Sequence, residues 1–204
     1  HIKGQSVVID MDEPVIKAFN HPALPVIVSH TETPVHHMNW GLIPPWAHSL
    51  TQARELQKMT LNAKIETART KPAFKQCLEQ RCVLPVTAFF EWQTQGKTKI
   101  PYQIVPSKWA VFLLAGLYHE WQSSIDGSGI KSFTLLTTEA NDLMADIHNT
   151  KKRMPVIIEE HQLSDWLGVD QPAVEIESFI SPLHSNLMHA HALERPSGSQ
   201  LSLF

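Results

Sequence analysis

Short apolar segments rich in β-branched and aromatic residues recur along the chain, separated by polar stretches. Such segments are typical of strands, and continuous apolar runs indicate strands buried on both faces. Between Trp92 and Tyr102, Gln95 and Gly96 are predicted to form a hairpin turn. The predicted strands cover residues 7–9, 25–28, 82–92, 110–118, 132–137 and 154–158.

Helical periodicity is found in four places. The clearest spans residues 139–147, whose apolar residues fall on one helix face, with Thr138 as the predicted N-cap. Because strands and helices do not alternate regularly, we expect an α+β fold rather than a doubly wound sheet. The remaining predicted helices cover residues 51–59, residues 159–167 and a segment that begins at Pro72.

The size of the chain favours one domain. Its 204 residues, 43% hydrophobic and 18% charged, suffice for one sizeable core but not for two large ones. We expect a single compact domain over residues 1–204, with a mixed, twisted, barrel-like sheet and short flanking helices. Residues 181–204 are predicted to be a surface loop and C-terminal tail. Since no apolar run approaches the roughly 18–20 residues of a membrane span, and no secretory signal is visible, we expect a soluble, cytoplasmic protein.

Cysteine and histidine patterns argue against disulfides and metals. Cys77 and Cys82 are the two cysteines, and buried thiols are the expectation for both. The histidine pairs at residues 36–37 and 189–191 have no third ligand at a diagnostic spacing, so neither a metal nor a cofactor is expected. A serine hydrolase is weakly supported, because no Gly-x-Ser-x-Gly sequence is present.

Charge is segregated along the chain, although the net charge is only −3. Residues 54–108 contain ten Lys or Arg against four Glu, whereas residues 156–204 contain seven acidic residues against one arginine. The middle segment could present a basic face to a polyanion. The alternative is that these basic residues are ordinary solvated side chains.

Two residues are candidates for acid–base chemistry. Glu91 lies in an aromatic segment, where partial desolvation would raise its pKa into the range of a general acid or base; alternatively, strand alternation points it to solvent. His148 follows the best predicted helix, where an imidazole is either a cap or a catalyst. The basic run 151–153 comes directly after it.

Three further residues are candidates for binding. Asn62 and Lys64 would share one face of a short strand, which suits a phosphate or sugar oxygen, or equally a turn with a solvated lysine. Trp46 follows two prolines and is a candidate platform for base stacking, whereas Trp40 is expected to pack in the core.

The motifs that carry a resemblance are spread over residues 38–160. They are Trp40-Gly-Leu-Ile-Pro-Pro-Trp46, Asn62-Ala-Lys64-x-Glu66-Thr67, Lys71-Pro-Ala-Phe74, Arg81-Cys-Val-Leu-Pro85, Phe89-Phe-Glu-Trp92, Pro101-Tyr102, Ala115-Gly-Leu117, Leu136-Thr-Thr138, Ile147-His148 and Arg153-Met-Pro155. In this order and combination the sequence resembles the SRAP family (SOS-response-associated peptidase). The segments outside this range match only loosely.

The resemblance implies covalent capture of abasic sites in single-stranded DNA. In that family the ring-opened sugar aldehyde forms a thiazolidine with an amino-terminal cysteine, which removal of the initiator Met exposes. The resemblance also implies that Asn62, Glu91 and His148 are catalytic. Glu91 would be the acid or base beside the terminal amine, Asn62 would position that amine or the sugar, and His148 would assist ring opening. The implied DNA contacts are Trp46, Lys64, Lys71, Thr137 and Arg153.

Three departures from the family pattern are visible. Lys64 stands where the family usually has Arg, which keeps the charge but loses the bidentate fork. Ala88 replaces a more typical glycine. The sequence begins at His1 without Met-Cys, and Cys77 and Cys82 cannot substitute, because thiazolidine formation needs amine and thiol on one terminal residue. Either a few residues before His1 are missing from this sequence or this protein cannot crosslink; we expect the former, because the other three types of active-site residue are present.

Three functions follow as alternatives. The first is an abasic-site sensor that acts as a monomer on single-stranded DNA, without a membrane or an obligate protein partner. The second is a non-catalytic single-strand binder on the same scaffold. The third is a peptidase acting on other proteins, although we expect proteolysis to be limited to the protein's own amino terminus.

Overall fold

The computed structural model describes residues 15–28, 34–123, 127–168 and 174–193. Its strands are β1 Ala23–Val28, β2 Val35–Trp40, β3 Asn62–Lys64, β4 Arg81–Val86, β5 Phe89–Gln95, β6 Thr98–Pro106, β7 Phe112–Gln122, β8 Gly129–Glu139, β9 Arg153–Pro155 and β10 Met188–Ala192. Its α-helices are α1 Leu50–Met59, α2 Ile65–Ala68, α3 Asp142–Ile147 and α4 Leu163–Leu167, and 3₁₀ turns cover Ala18–Asn20, Glu160–Gln162, Ile176–Phe179 and Ser185–Leu187. The predicted α+β class is confirmed.

Five strands close into a barrel. β1 pairs with β2 and β4, β4 with β7, and β7 with β8, all antiparallel. β8 then pairs with β2 in parallel, so each of the five has two neighbours and no edge is left open. β3 and β9 extend β8 beyond the barrel, one along each of its edges. The predicted barrel-like sheet is therefore confirmed.

Four of the five barrel strands, β1, β4, β7 and β8, are largely buried on both faces, as their continuous apolar runs predict. Along β4, Cys82 and Leu84 pack in one apolar cluster, while Val83 between them packs in another. The cluster that contains Val83 is covered by α4. In this helix Trp166 is fully buried, and its Nε1 donates to Cys82 O at 3.0 Å. Arg81 lies 4.9 Å from the Trp166 ring centroid and has a structural role there.

Gly116 on β7 is a point of close approach inside this barrel. A Cβ at that position would lie 2.7 Å from Thr134 O and 2.9 Å from Cys82 Sγ. We expect Gly116→Ala to lower the free energy of unfolding by about 1–3 kcal/mol, because the barrel wall would have to move. Gly129→Ala on β8 is the matched control, since its Cβ would meet only Trp121 O at 3.7 Å. Equal stabilities of the two variants in urea denaturation would contradict this.

A second sheet lies beside the barrel and carries one of the candidate acids. It has the order β10-β6-β5 and includes the predicted hairpin, with Gly96 at φ +60° in the turn. β5 packs against α3, and residues of β6 and β10 pack in the same apolar cluster as the barrel strands. The two sheets therefore share one core.

Several sequence predictions are wrong in detail. The helix predicted from Pro72 is a series of turns over residues 71–76, because the spacing of Phe74, Cys77 and Leu78 is also met by successive tight turns. All three side chains are buried as expected. The α3 helix begins later than predicted, with Asn141 as its N-cap: Asn141 Oδ1 accepts from Met144 N at 2.9 Å.

Strand boundaries also differ from prediction. Thr138, the predicted cap, belongs to β8 because β9 pairs with it. The strand predicted over residues 82–92 is divided at residues 87–88 into β4 and β5, which belong to different sheets. β10 lies within the predicted loop and tail, which is therefore wrong for residues 188–192. The strand predicted over residues 7–9 falls outside the described residues. The predicted helix over residues 51–59 is confirmed by α1.

Candidate active site

Glu91 and His148 meet at the junction of the second sheet and α3. His148 Nδ1 lies 3.6 Å from Glu91 Oε1, and the two side chains are 18% and 23% exposed, respectively. Of the two orientations expected for Glu91, the structure has the partly desolvated one. The structure thus brings together two of the three predicted catalytic residues.

Hydrogen bonds between side chains and the backbone hold Glu91 and His148 close together. Gln93 Nε2 donates to Asp146 O at 3.0 Å, and Thr94 N donates to Asn149 Oδ1 at 3.1 Å. Asn149 Nδ2 returns a hydrogen bond to Thr94 O at 2.9 Å. These bonds attach β5 to the end of α3, so that Glu91 and His148 are held by neighbouring rigid elements.

Burial raises the pKa of Glu91 above its ordinary value of 4.5. The positive charges of His148 and Lys151 and a hydrogen bond from the Trp92 backbone oppose this shift without cancelling it. A carboxyl group with a raised pKa is closer to the balance of protonated and ionised forms that proton transfer near neutral pH requires.

The tautomer of His148 follows from its partners. Nδ1 lies 2.9 Å from Arg153 O, and a carbonyl oxygen can only accept, so Nδ1 carries a hydrogen. Glu91 Oε1 lies 3.6 Å from the same nitrogen. Nε2 is left to exchange a proton with a bound molecule. His148 is also the C-cap residue of α3, because its backbone N–H donates to Met144 O, but its ring is used elsewhere.

Arg153 is engaged within the protein. Its guanidinium makes two hydrogen bonds of 2.8 Å to Glu66 and one of 2.5 Å to Thr137 O, and its side chain is 15% exposed. Partial burial acts to raise the pKa of Glu66, but the hydrogen bonds and charge of Arg153, with a smaller effect of Lys64, outweigh it and lower that pKa. Glu66 was not identified from the sequence, although its motif contains it.

β3 carries Asn62 and Lys64 on one face. Both side chains are exposed, while Ala63 between them is buried, as expected for a strand. The parallel register with β8 places Lys64 opposite Thr137, whose Oγ1 donates to Ala63 O at 3.4 Å. Lys64 and Thr137 therefore lie beside Arg153.

A basic cavity of about 410 Å³ opens next to these residues. Lys151 and Lys152, which line it, were not singled out from the sequence, although the basic run after His148 was the signal. The cavity is lined by Lys64, Glu139, Ala140, Ala145, Lys151, Lys152 and Arg153.

Trp46 and Lys71 lie near one another at a second place. Trp46 is half-buried, and its Nε1 donates to Pro72 O at 3.0 Å. Lys71 is exposed at the adjacent turn. Trp40 packs in the core as predicted, stacked on Phe133 with a centroid separation of 5.9 Å.

The charge segregation of the sequence is partly cancelled in space. Arg69 from the basic segment forms ion pairs with Glu175 at 2.5 Å and Glu177 at 2.7 Å from the acidic segment. Arg81 is buried, and its Nη1 donates to Val174 O at 2.6 Å. Fewer basic side chains are therefore available at the surface than the number of Lys and Arg in residues 54–108 predicts.

Both cysteines are buried free thiols, as expected. Burial raises the pKa of Cys77 to about 12 and that of Cys82 further still, so neither is a reactive thiolate. Within the described ranges no group of three or more His, Cys, Asp or Glu could hold a metal ion, and no helix is long and apolar enough to cross a bilayer.

Comparisons with known proteins agree on one family. A family model described as SOS response associated peptidase (SRAP) matches residues 9–198. Abasic site processing protein YoaM of Bacillus subtilis (strain 168) is 37% identical over 157 residues, which cover 76% of this chain and 66% of that protein. Abasic site processing protein HMCES of Gallus gallus is 27% identical over 74% of this chain and 51% of its own length.

Solved structures agree with this fold. A crystal structure of a Bacteroides thetaiotaomicron protein has a TM-score of 0.82 at 36% identity, covering 88% of this chain and 77% of that one. The region matched by this chain covers less than two thirds of the length of YoaM and about half the length of HMCES.

Proposed function

Because the chain belongs to the SRAP family, we propose that it captures abasic sites in single-stranded DNA through a covalent bond to an amino-terminal cysteine, as part of a DNA-damage response. The observation that carries this proposal is the contact between Glu91 and His148 beside the basic cavity. A proton-transfer pair next to clustered cations suits a substrate with a reactive sugar and neighbouring phosphates.

The proposed chemistry balances without a cofactor. The open form of an abasic sugar has an aldehyde, which an α-amine attacks to give a carbinolamine and then, with loss of water, an imine. The thiol of the same residue adds to the imine carbon: a C–S bond forms, the C=N bond becomes C–N, and the thiol proton moves to nitrogen. One water molecule is released overall.

Each residue of the site has a place in this scheme. Glu91 exchanges the protons of the amine and carbinolamine, and His148 Nε2 exchanges the proton of the sugar oxygen during ring opening. Asn62 orients the amine or sugar. Lys64 binds a phosphate and Thr137 lines the site, while Trp46 stacks on a base beside Lys71. Arg153 is placed here as a positioning residue, since its guanidinium is held by Glu66.

We propose an amino-terminal cysteine as the nucleophile. A thiazolidine needs amine and thiol on one residue, and Cys77 and Cys82 are internal and buried. We expect a Cys77→Ala/Cys82→Ala variant of the protein with its own amino terminus to keep crosslinking an abasic strand. Denaturing gel electrophoresis measures this, with an intact strand and an amino-terminally blocked protein as controls.

The outcomes separate the alternatives. A denaturation-resistant band that is absent with the intact strand and with the blocked protein supports capture. Loss of the band in the double cysteine variant, with its fold intact, would indicate that Cys77 or Cys82 is the nucleophile. No band in any lane, with salt-sensitive binding retained, would favour the non-catalytic single-strand binder. Cleavage of a peptide library would support the peptidase acting on other proteins.

A further inference from the structure

The turn at residues 149–152, directly after His148, presents two lysines to the basic cavity. We propose that this turn, together with Lys64, forms a phosphate-binding subsite that holds a phosphodiester of the strand next to the captured sugar. The inference deepens the proposed function and rests on it for the identity of the strand.

The charges around the cavity favour an anion. Lys64, Lys151 and Lys152 are exposed and form no ion pair within the described ranges of the chain. Arg153 is neutralised by Glu66, and Glu139 is the acid among the lining residues. Three cations against one carboxylate leave the cavity positive, which attracts a polyanion and releases its counterions.

The turn is fixed before anything binds. Lys152 has φ +50°, a conformation that costs energy for a residue with a side chain and persists only where the surroundings impose it. Its N–H donates to His148 O at 2.8 Å, its carbonyl accepts from Ala140 N at 3.0 Å, and Asn149 is bound to Thr94. The side chains of Lys151 and Lys152 therefore project from a backbone that needs no reorganisation on binding.

The subsite is adjacent to the proposed reaction centre. The charge of Lys151 is close enough to Glu91 to act on its pKa, and Arg153, which lines the cavity, accepts from the His148 ring through its carbonyl. A phosphate in the cavity would thus lie beside the sugar on which Glu91 and His148 act. At about 410 Å³ the cavity has the size of a small-ligand pocket, so it accommodates a phosphodiester.

Salt dependence of strand binding tests this directly. The dissociation constant of an intact single-stranded oligonucleotide is measured by fluorescence anisotropy at several salt concentrations, for wild type and for Lys151→Gln/Lys152→Gln. We expect tenfold weaker binding at low salt, and a slope of log K against log salt that is smaller by about 1.4, since each single-strand phosphate contact contributes about 0.7. Lys97→Gln/Lys108→Gln, which removes two exposed lysines elsewhere, is the matched control.

Each result has a definite meaning. A slope and affinity of the Lys151/Lys152 variant equal to those of the Lys97/Lys108 variant would overturn the proposal. Inorganic phosphate is titrated in parallel by thermal shift. If only the response to inorganic phosphate is lost and strand binding is kept, the cavity is a free-phosphate site and the proposal also fails. Because an intact strand is used, absence of covalent capture would refute the proposed function and leave this test valid.

Discussion

A Glu91→Gln variant is expected to capture an abasic strand at least about 100-fold more slowly than wild type, with unchanged affinity for an intact strand. The amide keeps the size of the side chain and its place beside His148 but cannot take up or release a proton at neutral pH. Capture rates from quenched time courses on denaturing gels, at saturating protein, measure the effect. Glu160→Gln, which changes an exposed glutamate in a 3₁₀ turn, is the matched control.

Stability separates this effect from misfolding. Burial raises the folded-state pKa of Glu91 above 4.5, so the protonated form favours folding, and wild-type stability falls as pH rises through that raised pKa. Glutamine is neutral throughout and escapes this loss. The variant should therefore be at least as stable as wild type at pH 7 while it is nearly inactive. Capture at the wild-type rate would remove Glu91 from the mechanism.

A Glu66→Gln variant should lose both stability and capture activity. Glu66 holds the guanidinium of Arg153, and the Arg153 carbonyl fixes the His148 tautomer. Without the carboxylate, a mostly buried cation lacks its charged partner, which we expect to lower the free energy of unfolding at pH 7 by about 1–2 kcal/mol. Glu55→Gln is the control, since its ion pair with Lys58 is more than half exposed on both sides and such a pair contributes little.

The pH dependence of that loss has a defined direction. The folded-state pKa of Glu66 is lowered below 4.5, so its contribution is complete above that value and disappears as pH falls through the folded-state pKa. Wild type and Glu66→Gln should therefore differ most at neutral pH and converge in acid, by urea denaturation at each pH. A constant difference from pH 7 to pH 3, or an equal loss in Glu55→Gln, would contradict the role of this ion pair.

Four of the five barrel strands, β1, β4, β7 and β8, were predictable because burial on both faces produces apolar runs that need no knowledge of partners. β2 and β10 were missed, since both mix histidines with apolar residues and owe their strand conformation to neighbours on either side or to β6. The turns after Pro72 were mistaken for a helix because the apolar spacing alone does not distinguish the two conformations.

The site was only partly predictable for a related reason. Glu91 and His148 were identifiable separately by residue type and by motif. Their proximity depends on how β5 attaches to α3, which is decided by backbone and amide contacts of Gln93, Thr94 and Asn149. Glu66 carries no sign in the sequence that its partner is Arg153, because a parallel register between β3 and β8 determines that pairing.

The contacts that hold this site join parts of the chain that are far apart. Glu66 and Arg153 are separated by 87 positions, and Thr94 and Asn149 by 55. Closing such loops is entropically costly, and contacts of this kind form slowly compared with local ones. In a nascent or partly unfolded chain the Glu91 carboxylate and the His148 imidazole are therefore apart. This pair forms only in molecules that have finished folding. Any chemistry that depends on the pair is a measure of the native fraction of a preparation.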